Sequence, residues 1–168
     1  MTVEIFDDRI CQLGEGPLWH PTRKQFFWFD ILGKRLMTQI NGEPHHWQFD
    51  EHVSAAGWVD DDTLLIASET SLFKFNLETA ESEFVVPLEV DNPATRSNDG
   101  RADPWGGFWI GTMGLEGEAD AGAIYRYYQG EIRKIITPIT ISNSICFAPD
   151  QDVAYFADTK DKQIMKQE

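Results

Sequence analysis

The chain has 168 residues, 42% of them hydrophobic, enough to bury a core. Its 28 acidic residues against 14 basic ones give a formal net charge of −14; such a field repels phosphate backbones and anionic bilayers, so neither nucleic acid nor a membrane is an expected partner. Two cysteines cannot staple a small scaffold, the start M-T-V-E-I-F-D-D has neither a basic nor an apolar run, and no stretch approaches spanning length, so we expect a cytoplasmic protein with Cys11 and Cys146 as buried thiols.

Runs of β-branched and aromatic residues bounded by Gly, Pro, Asn and Asp predict strands throughout. An opening strand is expected at Val3–Phe6, with no hairpin partner nearby. Strands are then expected at Gly16–His20, Gln25–Ile31, Arg35–Ile40 and His45–Phe49. The next set is Ala55–Val59, Thr63–Ser68, Ser71–Asn76 and Ser82–Val86, and the third is Gly100–Ala102, Gly107–Thr112, Ala123–Tyr128 and Ile132–Ile136. H-P-T-R, D-D-D, D-P-W-G-G and P-D-Q-D supply the turns between first and second strands. No segment carries sustained helical periodicity.

These sets share one frame: a polar residue six places before a Pro or Asp, a turn, then an apolar strand. Glu15 leads to Pro21 and F-F-W-F-D, Ser54 to Asp60 and L-L-I-A-S, Asn98 to Pro104 and F-W-I-G-T, Asn143 to Pro149 and A-Y-F-A-D. Repeats of roughly forty to forty-six residues built of short strands are the sign of β-propeller blades, which stack radially about one axis. Equivalent positions then converge, so Glu15, Asn98 and Asn143 are expected to face one central pocket. A carboxylate with amide oxygens is a ligand set for a hard divalent cation: calcium or magnesium, with manganese or zinc also able to occupy oxygen-rich sites. Each residue also has a plainer role, Glu15 as a surface carboxylate and the two asparagines as turn formers. The shared register favours the pocket.

Propeller rings close with about four to eight blades. The chain enters its fourth repeat at Asn143 and stops at Glu168 in what reads as that repeat's third strand. The expectation is one partial domain over residues 1–168, an incomplete propeller of about three and three-quarter blades.

The motifs G-E-G-P-L-W, R-S-N-D-G-R-A-D-P-W-G-G-F-W-I-G-T-M and I-S-N-S-I-C-F-A-P-D resemble the SMP-30/gluconolactonase/luciferin-regenerating family, which includes regucalcin. The resemblance runs along essentially the whole chain and covers about the first three-fifths of that family's usual length. It implies an all-β, six-bladed propeller with one divalent metal ion, calcium foremost, and hydrolysis of small sugar lactones. It further implies Glu15 and Asn143 as metal ligands, and Arg96, Asn98 and Glu116 as substrate contacts. The family's general acid/base, a metal-binding Asp in a later S-P-D-G-like segment, is expected beyond Glu168, so no catalytic residue is assigned here and the fragment is expected to bind metal weakly and turn over little. A calcium-binding regulatory protein without turnover, and a non-catalytic scaffold, remain alternatives; the oligomeric state is not specified.

Other residues read as structural. Asp99 and Asp103 are expected as turn and structural carboxylates, and Asp30 and Asp158, at matching places after second strands, as blade stabilisers. Arg96 has a rim salt bridge as its plainer alternative. His20, His45, His46 and His52 lack metal spacing and read as solvated or turn histidines. The six tryptophans read as inter-blade packing. The absence of a G-x-S-x-G elbow or a phosphate-cradling loop argues against serine hydrolase and nucleotide-binding readings.

Overall fold

The computed structural model describes residues 2–149 and 152–168. Fifteen strands follow one another, with no helix among the described residues. Blade 1 holds β1 (Gly14–His20), β2 (Gln25–Asp30), β3 (Arg35–Ile40) and β4 (Glu43–Gln48); blade 2 holds β5 (Val53–Trp58), β6 (Thr63–Ser68), β7 (Ser71–Asn76) and β8 (Ser82–Pro87). Blade 3 holds β9 (Thr95–Ala102), β10 (Phe108–Gly114), β11 (Gly122–Tyr128) and β12 (Glu131–Ile139), and a three-stranded sheet holds β13 (Ser142–Phe147), β14 (Ala154–Asp158) and β15 (Gln163–Gln167). Each sheet is an antiparallel meander in chain order, and together they form the incomplete all-β propeller that the repeat predicts.

Three apolar seams join the sheets in sequence. Phe27, Phe29 and Leu36 of blade 1 meet Val53, Leu64, Ile66 and Phe75 of blade 2. Ala55, Leu65 and Leu72 meet Phe108, Ile110 and Tyr125. Trp109 and Ile124 meet Ile145 and Phe156. A strand whose two faces both pack against neighbours needs apolar residues on both, which is why L-L-I-A-S and F-W-I-G-T run without alternation. The first strand of each blade is innermost: β5 lies against β1 and β9, β9 against β13, and β1 also touches β9.

Several expectations need correction. The expected starts Gly16, Ala55 and Gly100 fall inside inner strands that begin at Gly14, Val53 and Thr95. In every inner strand the register slips by one residue near its start, between Glu15 and Leu18, Val53 and Ala55, Ser97 and Gly100, and Asn143 and Cys146. A bulge of this kind breaks the two-residue alternation by which a strand is recognised. Val3–Phe6 is not a strand; its segment lies along blade 1, with the Phe6 ring edge-on to Phe26 and Trp28 and Arg9 donating to the Thr38 and His45 carbonyls. The turn expected over Pro149–Asp152 has its centre outside the described residues.

Cys11 is half-buried and Cys146 exposed, because within the β13 bulge Ile145 takes the inward place. Among the tryptophans, Trp47 and Trp109 fill seams, Trp58 and Trp105 pack edge-on against His20 and Phe147 of neighbouring sheets while partly exposed, and Trp19 is exposed. His20 is fully buried beside Phe27 and Trp58, with Nε2 hydrogen-bonded to the Asp60 carbonyl, and burial holds its pKa below the usual imidazole value. His45 and His46 sit in β4 rather than in turns.

Candidate functional site

The four inner-strand bulges place Glu15, Ser54, Asn98 and Asn143 at one level near the starts of β1, β5, β9 and β13. A bulge re-aims the side chains it carries, and one bulge per inner strand turns a repeated sequence position into a repeated orientation. Gly16 shows why this needs special residues. Its φ is +57°, and a Cβ there would collide with the Ser54 carbonyl oxygen of the neighbouring strand.

The side chains of the inner strands interlock. The Ser54 hydroxyl donates to the Ser97 hydroxyl at 2.7 Å, joining β5 to β9. Asn98 Nδ2 donates to the Ser142 carbonyl at 2.8 Å, joining β9 to β13. Asn98 Oδ1 accepts from Arg96 Nη1 at 3.0 Å, and the same Nη1 donates to the Ser97 carbonyl at 2.9 Å. Asn143 Oδ1 accepts the Ser144 N–H at 2.9 Å.

Arg96 is only 5% exposed and, among the described residues, makes no salt bridge, unlike the rim pair of its plainer alternative; its Nε has no hydrogen-bond partner among them either. Burial pulls its pKa downward, opposed by the carboxylates of Glu15 and Glu69. The Glu15 carboxyl, half-buried, is held above the usual glutamate range, first by burial and then by the Asp99 charge, with the Gly16 N–H and Arg96 acting against the rise. Glu15, Arg96 and Asp99, from blades 1 and 3, thus share one electrostatic neighbourhood.

Asp99 is a residue whose place the sequence reading missed. It stands in β9 rather than in a turn, and its Oδ2 accepts the Ile145 N–H at 2.8 Å. Burial raises its pKa despite the Ile145 N–H and Arg101. The one available signal is that Asp99 directly follows Asn98, where a bulge lets consecutive residues face partners on different strands. Glu69 was missed as well: it follows β6, accepts the His52 N–H at 3.0 Å, lies against the His52 ring and faces Arg96 electrostatically.

Asn143 is partly exposed on β13, one strand beyond Asn98. Glu116 lies apart, exposed in the turn after β10; that turn is at the same end as the inner-strand starts, because Leu115 N–H bonds the Ala94 carbonyl just before β9. Asp103 is structural as expected, accepting the Trp105 and Gly107 N–H groups, the Trp109 indole and Arg126. Among the described residues no group of three or more His, Cys, Asp or Glu side chains is arranged to hold a metal ion. No helix there is long and apolar enough to cross a membrane.

Residues 13–168 match the family model described as the SMP-30/Gluconolactonase/LRE-like region. The chain is 40% identical over 163 residues to a Rhizobium meliloti (strain 1021) protein provisionally named a sugar lactone lactonase, covering 95% of this chain and 54% of that one. It is 33% identical over 167 residues to L-arabinolactonase of Azospirillum brasilense, covering 95% and 55%. The chain spans about half the length of the curated relatives it matches. Among solved structures, regucalcin of Agrobacterium tumefaciens str. C58, described as a calcium-binding protein, superposes with a TM-score of 0.93 at 38% identity, covering 96% of this chain and 56% of that one.

Proposed function

The chain belongs to the SMP-30/gluconolactonase/LRE-like family, and from that premise we propose that it contributes part of the site of a divalent-cation-dependent hydrolase acting on small sugar lactones. Relatives named for lactone hydrolysis support the reaction class. The observation that carries the reading is the convergence of Glu15 and Arg96, with Asn98 and Asn143 on adjoining strands, at the bulged level of the inner strands.

The residues fit a hard cation. Every candidate donor is an oxygen, and burial together with the Asp99 charge disfavours the charged form of Glu15, a penalty that a nearby positive charge relieves. Glu15 and Asn143 would hold the ion, with calcium the first choice. When bound, it polarises the lactone carbonyl and stabilises the negative charge that builds up on its oxygen. Arg96 would donate its unpartnered Nε–H to a ring or hydroxyl oxygen of the substrate. Asn98, fixed by Arg96 and by the Ser142 carbonyl, would orient the same substrate. Glu116 would reach the ligand from the rim.

A calcium-binding role without turnover is the second reading, favoured by the likeness to the calcium-binding Agrobacterium protein. Acid release from a five- or six-membered sugar lactone, followed with and without chelator in the complete hydrolase to which this chain contributes, separates the two. Chelator-sensitive hydrolysis supports the lactonase; calcium binding by calorimetry with no turnover supports the second reading; neither binding nor turnover overturns both.

A further inference from the structure

The β13 bulge leaves Ser144 and Ile145 without register partners on β14, since pairing steps from Asn143–Ala157 directly to Cys146–Tyr155. Backbone groups released from a ladder and buried must find partners elsewhere. Both backbone groups of Ile145 find them on β9: the N–H donates to Asp99 Oδ2 at 2.8 Å, and the carbonyl accepts from Arg101 Nε at 2.7 Å. Ile145 itself is 1% exposed in the third seam.

The same stretch determines where Asn143 points. Ser144 has a φ of +60°, a left-handed conformation unusual for a residue with a side chain, and its N–H donates to Asn143 Oδ1. On the other side, Asn98 Nδ2 holds the Ser142 carbonyl. Three side chains of one strand, Asn98, Asp99 and Arg101, therefore grip the backbone of the next on both sides of Asn143. Strained backbone persists where the surroundings over-determine it, and here they come from the neighbouring blade.

We propose that Asp99 is a positioning residue: with Arg101 it latches the backbone of Ile145, fixes the β13 bulge and so aims the Asn143 amide into the central site. This rests on the reading of Asn143 as a cation ligand. A structural aspartate that only stapled two blades together would affect stability, not the cation affinity carried by Asn143.

The test uses calcium calorimetry and amide hydrogen exchange on the parent chain, Asp99→Ala, Asp99→Asn, Asn143→Ala and the double variant Asp99→Ala/Asn143→Ala. Asparagine keeps an oxygen that accepts the Ile145 N–H, so Asp99→Asn should retain protection of that amide and most of the affinity. Asp99→Ala should expose the Ile145 amide and weaken calcium roughly 10–100-fold, the usual effect of removing a residue that orients a ligand. In the Asn143→Ala background the further loss from Asp99→Ala should vanish, because there is no amide left to aim. Losses that add in the double variant, an Ile145 amide that stays protected in Asp99→Ala, or a loss of affinity in Asp99→Asn as deep as in Asp99→Ala overturns the latch while leaving Asn143 a ligand. Unchanged affinity in Asn143→Ala overturns the ligand reading and the latch with it.

Discussion

Asp30 and Asp158 occupy the same place at the ends of the second strands of blade 1 and of the three-stranded β13–β15 sheet, and each closes the same junctions of its own sheet. Asp30 accepts the Leu13 and Gly33 N–H groups and pairs with Arg35 at 2.6 Å; Asp158 accepts the Thr140, Ile141 and Lys160 N–H groups. Blades 2 and 3 put hydroxyls there, Ser68 bonding the Ser71 carbonyl and Thr112 bonding the Ala123 N–H. One buried polar side chain per blade satisfies the backbone where strands turn.

Replacing Asp158 with Ala strands three amides, of which the Thr140 N–H lies in a buried hydrogen bond, and an orphaned buried donor costs about 1–3 kcal/mol. Urea unfolding of Asp158→Ala should show the loss, and Asp158→Asn, which keeps an acceptor, a smaller one. Burial pushes both carboxyls upward, but the bonds they accept, that from Arg35 foremost for Asp30, outweigh it and hold both below the usual range. Their stabilisation is therefore complete above the unfolded aspartate value of about 3.9 and disappears as pH falls through the lower folded values. Acid titration of unfolding should show a less steep loss below about pH 4 in Asp158→Asn.

Glu15 works in the opposite sense. Its folded-state pKa is raised, so its contribution is fully present below the unfolded glutamate value of about 4.3 and is lost as pH rises through the folded value. Glu15→Gln should then raise the unfolding midpoint at neutral pH and give no gain near pH 4 or below, where both side chains are neutral. Added calcium should raise the midpoint of the parent but not of the variant, since only a state that binds the ion gains stability from it. A variant no more stable than the parent at pH 7 would contradict the unfavourable environment assigned to this carboxylate.

The period of the polar frame made the blades legible, because the frame repeats the sites where inner strands bulge. Second strands such as Thr63–Ser68 and third strands such as Ser71–Asn76 agree to the residue, since continuous apolar runs end at turn formers. Inner strands did not, because Glu15, Ser54 and Asn98 interrupt the apolar pattern where the bulge places them. Asp99 was hidden for the same reason: N-D-G spells a turn locally, and only the neighbouring blade reveals that its carboxylate faces Ile145. Val3–Phe6 has strand composition, yet its Phe6 ring packs on Phe26 and Trp28 without a ladder.

The large aromatic side chains separate into two energetic groups. Phe75 is 2% exposed and meets the Trp47 ring of the neighbouring blade edge-on, so Phe75→Ala should cost about 3–5 kcal/mol by opening the first seam. Trp19 is 58% exposed in β1, and Trp19→Ala should change stability by no more than about 0.5 kcal/mol. Denaturant midpoints of the two variants check the contrast; equal losses would mean that Trp19 carries a packing role its exposure does not show.

Gly111 explains the glycine in W-I-G-T-M. A Cβ at this position would overlap both Oγ and Cβ of Ser142, so β10 can approach β13 only with glycine there. Gly111→Ala should therefore force the third seam apart, at a cost of about 1–3 kcal/mol. The next atom a new Cβ would meet is the Asp99 carbonyl oxygen at 3.4 Å, an ordinary contact. Removing the Ser142 side chain should thus make room: the double variant Gly111→Ala/Ser142→Gly should be more stable than Gly111→Ala/Ser142→Ala, which keeps the colliding Cβ. Among the described residues the buried Ser142 hydroxyl has no hydrogen-bond partner, so its removal sacrifices no hydrogen bond to them. Equal urea midpoints for the two double variants would show that the strain of Gly111→Ala lies elsewhere than at Ser142.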